Sequence, residues 1–137
     1  MDRAGEIVRE VIVPVEAAGT GVTYHKVLQP ASGFAIVGIA VRVRKSGGKV
    51  SFVRIGMTGL SNCSYRATAA EKALEGTSGS EADIQAAAAL VAQGVDANSD
   101  LHASAEYRTH LAKVHAARAL RIALGRAKSM IRLIPPK

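Results

Sequence analysis

The first half of the chain is patterned for strands. Glu6-Ile-Val-Arg-Glu-Val-Ile-Val13 is rich in β-branched residues and closes at Pro14, which has no N–H to give to a ladder. After a break at Gly19-Thr-Gly21, Val22-Thr-Tyr-His-Lys-Val-Leu28 predicts a second short strand, ended by Gln29-Pro30. From Phe34 to Arg44 the alternation places Ala35, Val37, Ile39, Val41 and Val43 on one face. The opposite face begins apolar at Phe34 and Ile36 and ends charged at Arg42 and Arg44. Ser46-Gly-Gly48 offers two consecutive positions tolerant of positive φ, the requirement of a tight hairpin turn. Lys49 to Met57 is therefore the return strand, with Val53, Ile55 and Met57 sharing a face.

The second half is patterned for helices. Tyr65-Arg-Ala-Thr-Ala-Ala-Glu-Lys-Ala-Leu-Glu75 is built from helix formers and meets Gly76, a natural residue to follow a helix. Ser80 with Asp83 has the spacing of a capping pair and opens a helix to about Gln93, with Ile84, Ala87, Ala88 and Val91 as its apolar stripe and Gly94 as its stop. Asn98-Ser-Asp100 offers N-cap chemistry for a longer helix to about Leu124, followed by Gly125. Tyr107, Leu111, Val114 and Ile122 line one face of it, and Arg118 falls inside that stripe, where it needs a carboxylate or carbonyl partner. Four strands followed by three helices predict an α+β fold: an antiparallel sheet with the helices on one face, a two-layer sandwich.

Composition bounds what such a fold does. At 137 residues, 48% hydrophobic and 21% charged, the chain has the make-up of one globular domain, assigned to residues 1–125 with a basic tail over 126–137. Aromatics are only 4%, with no Trp, which argues against a reader that stacks nucleic-acid bases. The single cysteine, Cys63, can form no internal disulfide and cannot hold an iron–sulfur cluster. His25, His102, His110 and His115 lack a metal-binding spacing, so no metal site is expected. The N-terminus has no hydrophobic leader, and the longest apolar run, about Phe34 to Val41, is too short to span a bilayer, so the expected location is the cytoplasm, with no membrane partner.

Candidate chemistry is sparse. The 13 glycines form neither GxGxxG nor GxxxxGK[ST]. Gly56-Met-Thr-Gly59-Leu-Ser reads as a structural turn, Cys63 as a buried or half-buried bystander, and Ser61, Ser64 and Ser104 lack a nucleophile-elbow context. Glu71 and Glu75 are read as solvated, and no catalytic residue emerges. The net charge of +7 is uneven: beyond Glu106 there is no acidic residue, while Arg108, Lys113, Arg118, Arg121, Arg126, Lys128, Arg132 and Lys137 supply eight of the 18 basic ones. Without aromatic interleaving, that block reads as a docking surface or solvated tail rather than a nucleic-acid site.

Three stretches, in order, carry a family likeness. The first is Gly5-Glu-Ile-Val-Arg-Glu-Val-Ile-Val-Pro14, with Tyr24-His-Lys26 and Pro30-Ala-Ser-Gly-Phe-Ala-Ile-Val-Gly-Ile-Ala40. The second is Arg54-Ile-Gly-Met-Thr-Gly59, leading to Arg66-Ala-Thr-Ala-Ala-Glu-Lys-Ala-Leu-Glu-Gly76. The third is Ser99-Asp-Leu-His-Ala-Ser-Ala-Glu-Tyr-Arg-Thr-His-Leu-Ala112 with Arg118-Ala-Leu120. Their order and spacing resemble the C-terminal domain of the FAD-binding medium subunit of molybdenum hydroxylases, a group that includes the carbon monoxide dehydrogenase flavoprotein and the flavin domain of xanthine dehydrogenase. The resemblance implies a domain that closes over FAD held by upstream flavin-binding domains, whether in one subunit or a split one. It implies a molybdenum large subunit and a [2Fe–2S] small subunit as further partners, with electrons passing through the clusters to FAD.

By the same resemblance, Ile7 and Val8 pack the flavin ring and Lys26 approaches it, where a cation stabilises negative charge on the reduced flavin. Ser104, Tyr107 and Arg108 fall where they fix the third helix. The Gly-rich segments that hold the FAD pyrophosphate and adenine are absent, so the chain alone is expected to bind FAD weakly or not at all. The alternative reading is a non-enzymatic interaction module that kept the fold and lost the flavin role.

Overall fold

The computed structural model describes residues 7–128. Four antiparallel strands form one sheet in chain order: β1 (Thr20–Leu28), β2 (Ala35–Ser46), β3 (Lys49–Thr58) and β4 (Tyr65–Arg66). Three helices follow: α1 (Thr68–Leu74), α2 (Glu81–Ala89) and α3 (Ala105–Lys128). All the helices lie on one side. α3 crosses β1 and β2, α1 packs on β3, and α2 is wedged between α1 and α3. The expected α+β two-layer architecture is therefore the observed one.

The hairpin of β2 and β3 follows its sequence pattern. Gly47 and Gly48 take φ of 57° and 78°, the two positive values that a two-residue turn matched to strand twist demands. Val41 faces Ile55 and Val43 faces Val53 across the ladder, and all four are buried beneath the helices. Ser80 caps α2 as expected: its hydroxyl accepts the Asp83 N–H, and the Asp83 carboxylate accepts the Ser80 N–H.

The fourth strand is not the expected one. Residues 7–17 form no strand; Ile7, Val8, Val11, Ile12, Val13 and Val15 are 80–98% exposed. The place of the fourth strand is taken by Tyr65–Arg66, which pair with Met57 and Gly56. This pairing delays α1 to Thr68, because Tyr65 and Arg66 cannot serve the ladder and the helix together.

Helix α3 also differs in detail. Ser104, not the Asn98–Asp100 stretch, caps it, accepting the Tyr107 N–H at 3.1 Å. Its buried line runs through Arg108, Leu111, Ala112, Ala116, Ala119, Leu120, Ala123 and Ala127. Tyr107 and Ile122 are about half exposed, and Arg118 points to solvent, so the partner expected for Arg118 is not required. The small side chains decide this orientation: alanines let the helix backbone settle onto β1 at Gly21, where an added Cβ would lie 1.9 Å from the Ala123 carbonyl oxygen. α3 continues through Gly125 to Lys128, so the first residues of the expected tail are helical. Positions 129–137, with Arg132, Lys137 and the Pro-Pro pair, lie outside the described residues.

Candidate functional site

With every helix on one face, the other face of the sheet has no layer over it among the described residues. Register fixes what it displays. Gly38 lies beside Lys26 and Thr58, Ala40 beside Tyr24 and Gly56, and Gly56 beside Arg66. The centre is thus a floor of three minimal side chains, Gly38, Ala40 and Gly56. Tyr24, Thr58, Ser64, Tyr65 and Arg66 stand around it and enclose a concavity of about 410 Å³. At Gly38 the rim comes close, and an added Cβ would meet Tyr24 Oη and Thr58 Cγ2 at 2.7 Å each. Gly56 has open space, its nearest neighbour being Ala40 Cβ at 3.9 Å.

The rim is held rigid from behind. Tyr65 donates its hydroxyl to the Val91 carbonyl at 2.9 Å, and burial pushes its pKa up to about 12, so it stays protonated. Arg66 is gripped from beneath by Glu71: Nε donates to Oε1 at 3.1 Å and Nη2 to Oε2 at 2.5 Å. Glu71 is buried and also accepts the Ile55 N–H at 2.9 Å, which corrects the solvated reading of that residue. Burial alone would raise its pKa, but the Arg66 pair, the Ile55 N–H and nearby Arg54 outweigh it and hold the carboxyl below its ordinary value. The same pair raises the Arg66 pKa. A fixed, charged guanidinium therefore faces the concavity.

Lys26 shares the outer face with Tyr24 and sits next to this floor, exposed, with Nζ donating to the Gly33 carbonyl at 3.0 Å. Ile7 and Val8 are not brought to the site; both lie on the extended segment, 93% and 82% exposed. The far end of the face is cationic: Arg54, Arg42 and Arg44 stack on Phe52 at 4.4, 5.0 and 5.4 Å, and Glu16 pairs with Arg42 at 2.7 Å.

Two other clusters lie on the helical side. Arg108 is buried and reaches out from α3 to the Ile36 and Gly59 carbonyls at 2.6 and 2.8 Å and to Asp100 at 2.6 Å. It thereby pins the helix to the ends of β2 and β3, which agrees with a structural part for Ser104 and Arg108. His25 of β1 and His115 of α3 stack and share a hydrogen bond, Nε2 to Nδ1, at 2.7 Å. Sequence spacing could not show this pair, since 90 residues separate its members. Cys63 is exposed in the loop before β4, not half-buried as expected. Much of the basic excess is also spent internally: Arg108 is buried, Arg121 pairs with Glu81, and Arg126 donates to the Val22 carbonyl.

Comparison with known proteins now adds the lineage. Residues 22–123 match the model of the CO dehydrogenase flavoprotein C-terminal domain. The chain belongs to that family. The carbon monoxide dehydrogenase medium chain of Hydrogenophaga pseudoflava is 34% identical over 121 residues, 88% of this chain and 42% of that protein. The medium chain of Afipia carboxidovorans is 34% identical over 125 residues, 91% of this chain and 43% of its own length. A solved carbon monoxide dehydrogenase from Hydrogenophaga pseudoflava superposes with a TM-score of 0.79 at 40% identity, covering 83% of this chain and 40% of that one. The chain thus spans about two-fifths of the length of the curated relatives it matches. Among the described residues no helix is long and apolar enough to cross a membrane.

Proposed function

We propose that this chain is the flavin-covering part of an FAD-binding medium subunit in a molybdenum hydroxylase-type oxidoreductase, and that the uncovered sheet face is the surface turned to the flavin. The observation that carries the reading is the floor of Gly38, Ala40 and Gly56 beneath a rim of hydrogen-bonding side chains. A flat ring system needs such a floor, because any larger side chain there would stand in its plane of contact. FAD, when bound, would supply the redox chemistry, accepting electrons and passing them on.

The chain's own residues bind and orient. Tyr24 and Thr58 offer hydroxyl donors at the rim, Ser64 donating to Thr58 Oγ1 at 3.1 Å, while Tyr65 remains a neutral wall and Arg66 keeps a fixed positive charge. Lys26 adds a second, movable cation once its ammonium leaves the Gly33 carbonyl. Positive charge placed here favours an electron-rich ring over an oxidised one. Among the described residues no phosphate-cradling loop accompanies this face, so affinity for FAD comes from flavin-binding domains beyond this chain, and the molybdenum and [2Fe–2S] subunits complete the electron path.

Gly56→Val tests the floor, because it fills the concavity where the backbone has room. The assembly of this chain with a flavin-binding medium-chain partner is expected to lose at least about tenfold in flavin affinity, while the variant's own denaturation midpoint stays within about 0.5 kcal/mol of the parent. Unchanged flavin retention would remove this face from the site. Lys26→Ala is expected to slow flavin reduction without preventing assembly; unchanged reduction rates withdraw the assignment of Lys26.

A further inference from the structure

The outer face of the sheet gathers positive charge beyond what the described residues balance, and we propose that this end of the face docks an extended, acidic segment of another polypeptide. The inference goes beyond the flavin reading and stands whether or not a ring covers the floor. Arg42 lies directly opposite Arg54 across the β2–β3 ladder, the next pair on this face after Ala40 and Gly56. Arg44 follows, opposite Phe52. Like charges directly opposite each other in a sheet destabilise it. Here three guanidinium carbons sit within 5.4 Å of one ring centroid, that of Phe52. The ring attracts each of them and offsets part of their repulsion, but it supplies no counter-charge.

Two carboxylates lie nearby, and both are taken. Glu71 is close enough to Arg54 to feel its charge, but its oxygens accept from Arg66 and from the Ile55 N–H. Glu16 pairs with Arg42 at 2.7 Å. Among the described residues no carboxylate pairs with Arg44 or Arg54. Arg54 Nη1 donates only to the Val53 carbonyl, at 2.6 Å. Glu16 shows the chemistry that fits: a carboxylate on a stretch of chain outside any helix or strand, laid against a guanidinium. Arg44 and Arg54 are diagonal neighbours in the register, and such positions lie about 7–8 Å apart. Alternate side chains of an extended chain are spaced by about 7 Å. Acidic side chains at alternate positions of an extended segment therefore match the two open forks, whose planar donors suit carboxylates. A nucleic acid fits less well, because the Phe52 ring already carries the guanidiniums instead of presenting itself to a base. A second copy of the chain docked face to face would set the same cations against one another.

The test titrates the whole chain into a fluorescent peptide of alternating glutamate and serine and follows anisotropy at about 20 mM salt, where screening is weak. Arg44→Gln and Arg54→Gln are each expected to weaken binding at least about fivefold. Arg118→Gln removes the same charge from the exposed side of α3 and is expected to change binding by less than about twofold, which separates this surface from the net charge. Glu16→Gln frees Arg42 and is expected to tighten binding at least about twofold, a gain that misfolding cannot mimic. Amide NMR spectra of the parent locate the contact without any substitution: peptide-induced shifts should gather on residues 42–44 and 52–54. No binding at low salt, losses as large for Arg118→Gln as for Arg54→Gln, no gain for Glu16→Gln, or shifts centred on α3 would each overturn the inference. So would tighter binding of single-stranded oligothymidylate than of the peptide at about 0.15 M salt, since the surface would then read phosphates.

Discussion

Arg108 and Glu71 show how single buried charges decide this fold. Each is buried, and each makes several directed bonds: Arg108 to two carbonyls and Asp100, Glu71 to a backbone N–H and Arg66. Removing either one leaves its backbone partners without a bond, although Arg66 and Asp100 stay half exposed to water, and that penalty exceeds the modest net worth of the bonds themselves. Arg108→Met is expected to cost about 2–4 kcal/mol in urea denaturation, because it orphans the Ile36 and Gly59 carbonyls. Glu71→Ala should cost about 2–3 kcal/mol and Glu71→Gln distinctly less, since the amide oxygen still accepts the Ile55 N–H. Equal losses for the two Glu71 variants would show that the Arg66 charge pair, and not the backbone acceptor, carries the effect. Neither role was visible in residue spacing. The helical periodicity around Glu71 gives no sign that β3, which faces it, leaves the Ile55 N–H to a side-chain acceptor. The structural reading of Arg108 came from family likeness, without its acceptors.

At the scale of elements, the legible parts were those that local chemistry decides alone. The Gly47-Gly48 turn and the Ser80–Asp83 capping box need only their own residues. What failed to be legible depended on partners distant in sequence. Glu6–Val13 has strand composition, yet its described residues, 7–13, pair with no strand, and Tyr65–Arg66 take the open edge of β3. The orientation of α3 departs from its pattern of large apolar residues because close packing on β1 selects alanines. The candidate site is not legible in residue spacing: Lys26, named from family likeness, only neighbours it in register, and the floor of Gly38, Ala40 and Gly56 emerges when three strands are set side by side. Gly21 tests this account of α3. Its Cβ would lie 1.9 Å from one backbone atom of the helix and 2.7 Å from another, and backbone cannot swing aside as a side chain can. Gly21→Ala is expected to destabilise by about 3 kcal/mol or more through forced separation of helix and strand. Gly47→Ala, with free space around it, should cost only about 1 kcal/mol from its positive φ. A Gly21→Ala variant as stable as the parent would mean that α3 does not sit against β1 as described.

For the molecule as a whole, the ionisable contacts predict acid unfolding in two stages. Burial is the main cause holding the His115 pKa below 6.5, helped by His25 across the β1–α3 contact and by Arg118 on its own helix; no carboxylate contributes. A histidine whose folded pKa is depressed binds its proton more readily when unfolded. Its contribution to stability is complete above about pH 6.5 and fades as pH falls below that value toward the folded pKa. The carboxylates act lower down. Arg108 and local N–H groups hold Asp100 at about 2, and Arg121 and Gln85 hold Glu81 at about 2, while Glu71 is also lowered. Their contribution is complete above ordinary carboxylate values, about 4–4.5, and is lost as pH falls toward 2. Urea midpoints measured from pH 7.5 to 3 should therefore begin to decline as pH falls below about 6.5, and decline further below about 4.5. His115→Gln removes the titrating group of the first stage, so its profile should stay flat through pH 6.5 and fall only in the carboxylate range, below about 4.5. If the first decline persists in that variant, another group governs it, and the His25–His115 contact between strand and helix is not the acid-sensitive joint of the fold.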